Sequence, residues 1–119
     1  MRTLLIVMII CASALAGCEL RQQEPGATDI ARAENLRPDD PQLAERYERS
    51  CMTCHAVRDS GAPLAGFAPQ WTARLDKGME QLVSNTRDGF NAMPARGLCN
   101  DCSHEDLRAL IRFMSGNKT

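Results

Sequence analysis

Cys51-Met52-Thr53-Cys54-His55 sets two thiols three positions apart and puts an imidazole directly after the second. Sulfurs at that spacing share one turn of backbone, so each can bond one vinyl group of a porphyrin as a thioether. The next side chain then turns its nitrogen toward the iron from the same side. This is the attachment pattern for one covalent haem c, with Cys51 and Cys54 as the thioether donors and His55 as an axial iron ligand.

A second axial ligand has to come from elsewhere. Met93 precedes Pro94, which disfavours helical backbone at the residue before it, so Met93 is expected on a loop whose path the proline fixes. A soft thioether opposite histidine stabilises ferrous iron and suits a carrier that passes electrons to an oxidant. The plainer role, filling a gap in a core, falls to Met79 and Met114 on helix faces. His104 is the rival ligand, but it follows Ser103, a helix cap, and belongs on an exposed first turn.

Cys99-Asn100-Asp101-Cys102 admits three readings: a structural disulfide, a thiol redox centre, or half of a four-cysteine zinc site completed by Cys51 and Cys54. The zinc reading leaves His55 and Met93 without a role. A redox pair would open a helix after a strand, and no strand pattern precedes it. The preferred reading is a small-ring disulfide that clamps the Met93 loop to the start of the last helix.

The elements that position these groups read as helices. Asp40 and Pro41 cap and open one that carries Leu43, Tyr47 and Cys51 on a single face and delivers the attachment segment. Residues 60–66 form a turn-rich loop. Pro69 opens a helix with Trp71 and Leu75 that Gly78 stops, and a further helix over 79–87 turns Leu82 and Val83 inward and ends before Gly89. The last helix, capped by Ser103, carries a stripe of Leu107, Leu110, Ile111 and Met114 and ends at Gly116. No run alternates as a strand does. The fold class is all-α: about four short helices around one covalent haem, which would supply apolar volume that a folded region of this size lacks.

The ends bound the compartment. In residues 1–17 Arg2 precedes an apolar run and then small residues, the layout of a secretory signal, and the run is too short to span a bilayer. Leu15-Ala16-Gly17-Cys18 resembles the lipobox of bacterial lipoproteins, which makes Cys18 an acylated anchor and Glu19 a weak pointer to the outer membrane. Residues 18–38 read as lipidated cysteine and flexible tether, being polar and broken by Pro25 and Gly26; the alternative is a short helix on the domain formed with Ile30, Ala31 and Leu36. Residues 39–119 are the single domain. Removing residues 1–17 leaves 13 of the 14 basic side chains against 15 acidic ones, a net charge of about −2 that gives no field for nucleic acid. The four cysteines beyond Cys18 would sit in an oxidising compartment.

From Leu43 to Met114 the chain resembles the cytochrome c5 family of class I c-type cytochromes. The resemblance rests on Cys51 to His55, Gly61-Ala62-Pro63, Trp71 with Arg74, Lys77-Gly78, Met93-Pro94-Ala95-Arg96-Gly97, and the Cys99 and Cys102 pair before the last helix. It implies the class I fold, His55 and Met93 as axial ligands, a Cys99 to Cys102 disulfide, and electron transfer without turnover of a substrate. It also implies that the Pro63 carbonyl orients His55 and that the Trp71 indole reaches a haem propionate. Two residues depart from the family pattern. Leu98 stands where a second glycine is common and would extend an apolar contact surface, while His104 stands where an acidic residue is usual and would bring pH sensitivity.

The function expected is that of a periplasm-facing, lipid-anchored one-electron carrier in a respiratory chain. Its partners would be redox proteins: a donor dehydrogenase or cytochrome complex, and an acceptor oxidase or reductase. The alternatives are a five-coordinate haem enzyme or gas sensor, if Met93 does not bind, and a structural zinc module held by four cysteines.

Overall fold

The computed structural model describes residues 23–116, so the expected signal segment, Cys18 and Glu19 lie outside the described residues. Among the described residues six α-helices run in the order α1 (Ala27–Asn35), α2 (Pro41–Arg46), α3 (Met52–His55), α4 (Ala68–Leu75), α5 (Met79–Asp88) and α6 (His104–Ser115). Two 3-10 turns, Arg58–Ser60 and Ala95–Leu98, lie in the loops. Extended pairing among the described residues is confined to one isolated bridge, between Phe90 and Met93.

The caps explain where the helices start. Asp40 accepts a hydrogen bond from the Leu43 N–H at 2.8 Å, with Pro41 in the first turn where its missing N–H costs nothing. Ser103 and Asp106 form a reciprocal capping box at α6, and Gly116 closes that helix at φ +70°, a conformation open to glycine without steric cost. Arg46 reaches across from α2 to Asp106 at 2.7 Å and ties the first domain helix to the last.

α2 does not run straight into α3. Tyr47–Cys51 forms a π-helical turn, in which the Met52 N–H bonds the Tyr47 carbonyl five residues back. The inserted residue keeps Tyr47 and Cys51 both inward, at 0% and 8% exposure. Tyr47 meets Phe113 of α6 edge-on with ring centroids 4.9 Å apart. The main core gathers around this crossing, with Trp71, Leu82, Val83, Leu107, Leu110, Ile111 and Met114 buried. Each of these large side chains contributes roughly 1.5–3 kcal/mol through burial.

The four helical stretches expected from the sequence are present. The flexible tether expected over residues 18–38 is corrected for its second half. Residues 27–35 form a helix, with Ala33 wholly buried in a small cluster beside Leu64 and Phe67 and with Ile30 packed against it. Composition favoured a tether because the apolar residues are few, yet three of them fall on one side and find an apolar surface on the domain.

Candidate cofactor site

The attachment segment lies at the end of a rigid stretch. Cys51 closes the π turn and is buried, whereas Cys54, one turn further on, is exposed; both sulfurs are free thiols. Burial pushes the Cys51 thiol pKa up, opposed in part by the Ser50 hydroxyl 3.6 Å away. The backbone after the motif is braced by Ser60, whose hydroxyl donates to the Cys54 carbonyl at 2.6 Å and accepts from the Ala62 N–H at 3.2 Å.

His55 is 6% exposed. Its Nδ1 lies 2.8 Å from the Pro63 carbonyl, which can only accept, so Nδ1 carries the proton and Nε2 keeps its lone pair free. Burial holds the imidazole pKa below the ordinary histidine value. The Pro63 contact opposes that shift and the Arg74 charge adds to it. A neutral imidazole with one committed nitrogen is the form that a metal requires. The ring stacks at 25° on Trp71, with centroids 5.8 Å apart.

Trp71 differs from the expectation set for it. Its indole Nε1–H donates to the Leu64 carbonyl at 2.8 Å, so the donor is spent on the loop behind His55 and is not directed at a propionate. A buried backbone carbonyl next to a buried indole leaves this pairing as the lowest-cost use of both.

Met93 sits in a tight turn after α5. Phe90 and Met93 exchange backbone hydrogen bonds at 3.0 and 2.9 Å, and Pro94 follows in extended conformation. Glycines let this turn close. A Cβ on Gly89, at φ +87°, would stand 3.1 Å from the Ala95 nitrogen and 3.2 Å from the Met93 carbonyl. A Cβ on Gly97 would meet the Met93 methyl at 3.3 Å. Arg96, Gly97 and Leu98 take φ of +60°, +56° and +68° in succession, two of them at a steric cost of order 1–3 kcal/mol each. Leu98 is left 59% exposed.

Strain of that size persists only where neighbours hold it. Arg96 donates to the Cys102 carbonyl, and Cys99 is paired with Cys102, their Cα atoms 5.4 Å apart and both side chains almost wholly buried. With these two sulfurs paired to each other, a four-cysteine zinc knuckle is not formed. His104, the rival ligand, is exposed on the first turn of α6 beside Glu80 and Arg108.

Sequence reasoning missed the π turn, the Ser60 brace and the run of left-handed residues at 96–98. The last had a partial signal in Gly97, but nothing in the residue types of Arg96 or Leu98 announces positive φ.

A covalent haem fits these residues. Two free thiols sit at thioether spacing, a buried neutral imidazole has an uncommitted Nε2, and a methionine is held in a fixed turn that a larger side chain at position 97 would crowd.

Comparison with known proteins agrees. Residues 38–114 match the family model described as "Cytochrome C oxidase, cbb3-type, subunit III". Cytochrome c5 of Ectopseudomonas mendocina is 39% identical over 70 residues, covering 57% of this chain and 80% of that protein. Among solved structures, a mono-haem ferrocytochrome c from Shewanella putrefaciens superposes with a TM-score of 0.58 at 40% identity, covering 68% of this chain and all of that one. The cytochrome c chain of a crystallised electron-transfer complex with nitrite reductase gives 0.57 at 31% identity, over 65% of this chain and 94% of that one.

Proposed function

We propose that this chain, which belongs to the cytochrome c family matched over residues 38–114 and to the cytochrome c5 family, is a membrane-tethered, periplasm-facing electron carrier of a respiratory chain. It is a mono-haem electron carrier with one covalent haem c, and not an enzyme. In the proposed site Cys51 and Cys54 would hold the haem by thioethers, and His55 and Met93 would be the iron ligands. The observation that carries this reading is the 2.8 Å contact between His55 Nδ1 and the Pro63 carbonyl, which leaves Nε2 as a ligand of fixed direction.

When bound, the haem supplies a reversible one-electron couple. The chain's own residues set the conditions for it. Pro63 keeps the imidazole in one tautomer and increases its basicity as a donor. Trp71 stacks on the ring and keeps water from that side. Gly89, Gly97 and the Cys99 and Cys102 pair fix the turn that carries the Met93 sulfur, so that little reorganisation need accompany a change of charge. A Met93 thioether together with His55 would favour the ferrous state, as a donor to an oxidising partner requires.

The partners on this reading are redox proteins: a dehydrogenase or cytochrome complex as donor, and an oxidase or reductase as acceptor. The solved relative in complex with nitrite reductase supports that class. The tether reading rests on the signal-like residues 1–17 and on Cys18 as the acylated residue, with the outer membrane favoured by Glu19. Fractionation of cells expressing the full chain and its Cys18→Ser variant tests it. Wild-type protein is expected with the membranes and the variant in the soluble periplasmic fraction. Equal membrane retention of the two would contradict the anchor.

A further inference from the structure

The loop Pro63–Phe67 is the wall behind His55. It meets that residue twice, through the Pro63 carbonyl at Nδ1 and through the Ala65 N–H, which donates to the His55 carbonyl at 2.7 Å. It is fixed from the core by the Trp71 indole on the Leu64 carbonyl and by the Gly66 N–H on the Met114 carbonyl, 2.7 Å apart. Those bonds hold one side of the loop.

The side chains of its other side, Leu64 and Phe67, are 1% and 6% exposed, yet they do not belong to the main core. They form a separate cluster with Ala33 of α1, against which Ile30 packs. Leu36 closes over the middle of the loop, where a Cβ on Gly66 would stand 3.2 Å from its methyl. The segment is capped at its start and tied to the domain at its end. The Gly26 N–H donates to Asp29 at 3.0 Å in the first turn, and Arg37 after the last turn pairs with Glu48 on the π turn. All of α1 lies ahead of residue 38, where the family match begins.

We propose that α1 is a positioning element for the iron ligand, with Ile30, Ala33 and Leu36 pressing the Pro63–Phe67 loop onto His55 and keeping water from the Nδ1–H···O bond. The inference rests on the reading of His55 as the axial ligand. Its consequence is that the segment leading to the domain is coupled to the ligand's hydrogen bond, which tunes the basicity of the iron-binding nitrogen. Water admitted behind the loop would compete for the same proton.

Nuclear magnetic resonance of the reduced, haem-loaded full chain tests this by following solvent exchange of the His55 Nδ1 proton together with the amides of α1 and α6. Ala33→Asp, which forces a carboxylate into a wholly buried contact, is expected to unprotect the α1 amides. It should speed exchange of the His55 proton about tenfold or more, while the α6 amides and the optical spectrum stay unchanged. Ala33→Ser should keep the wild-type rates, and Leu36→Ala should fall between. Release of α1 with no change at the His55 proton would overturn the proposal, as would α1 amides that stay protected with aspartate at position 33. Should Ala33→Asp fail to fold, Leu36→Ala decides alone: an unchanged His55 exchange rate would overturn the proposal. A wild-type protein without low-spin haem would instead sink the ligand reading, a separate outcome visible before any variant is made.

Discussion

The Gly97 position and the Met93 methyl are separated by only the width of a side chain: a Cβ on Gly97 would lie 3.3 Å from Met93 Cε. The methionine is therefore held by what position 97 lacks. Gly97→Ala, at φ +56°, adds backbone strain of about 1 kcal/mol and pushes the methyl aside. The oxidised protein should show a weakened far-red sulfur-to-iron band, and Met93→Ala should abolish the band. Gly89→Ala should be costlier, at about 1–3 kcal/mol by urea denaturation, because its new methyl meets backbone atoms that cannot swing away.

The Tyr47 hydroxyl is wholly buried and without a hydrogen-bond partner among the described residues. Burial and the neighbouring Cys51 push its pKa up to about 12, with Arg37 opposing. An unpaired hydroxyl costs about 1–3 kcal/mol, and Phe keeps the edge-on contact with Phe113. Tyr47→Phe is thus expected to raise the urea midpoint or leave it unchanged. A loss of more than about 1 kcal/mol would mean that the hydroxyl has a partner.

Asp106 should account for part of the acid limb of stability. Its carboxyl is held below the ordinary aspartate value by the Ser103 backbone N–H first, then by the Ser103 hydroxyl, with Arg46 adding. A depressed folded pKa gives stability that is fully present above about 4, the unfolded value. That stability is lost as pH falls through the lower folded one. Asp106→Asn should lower the urea midpoint at pH 7, by about 1 kcal/mol, and its gap from wild type should close as pH drops below about 4.

Some of this was readable from residue types alone. Asp40, Pro41 and Ser103 announce helix starts because their side chains satisfy donors that a helix leaves open, and the structure uses Asp40 and Ser103 in that way. The stripe Leu107, Leu110, Ile111 and Met114 is buried as its spacing requires. What escaped depends on tertiary context. The fate of residues 27–35 was set by Leu64 and Phe67, far along the chain, and the Trp71 indole was claimed by a carbonyl whose position no local pattern encodes. The π turn arises from one residue more than the α2 to α3 path needs, a count visible only once both ends are fixed.

The Cys99 and Cys102 side chains are 0% and 1% exposed, so the pair should resist added reductant while the domain is folded and react once it is denatured. Replacing both by Ala removes a ring of about four residues, which the chain-entropy estimate values at roughly 2 kcal/mol. The larger effect is expected at Met93, whose turn loses its fixed end. Thiol labelling with and without urea, alongside the far-red band of the double variant, checks both statements.

One covalent haem with His55 and Met93 on its iron defines the proposed site. Optical spectra of the oxidised and dithionite-reduced protein, matured with haem-attachment machinery, combined with a pyridine haemochrome assay, address it most directly. One covalent c-type haem per chain, a sharp reduced α-band and a weak far-red methionine band when oxidised are expected. A colourless product under those conditions, or a high-spin haem that binds carbon monoxide readily at neutral pH, would contradict it.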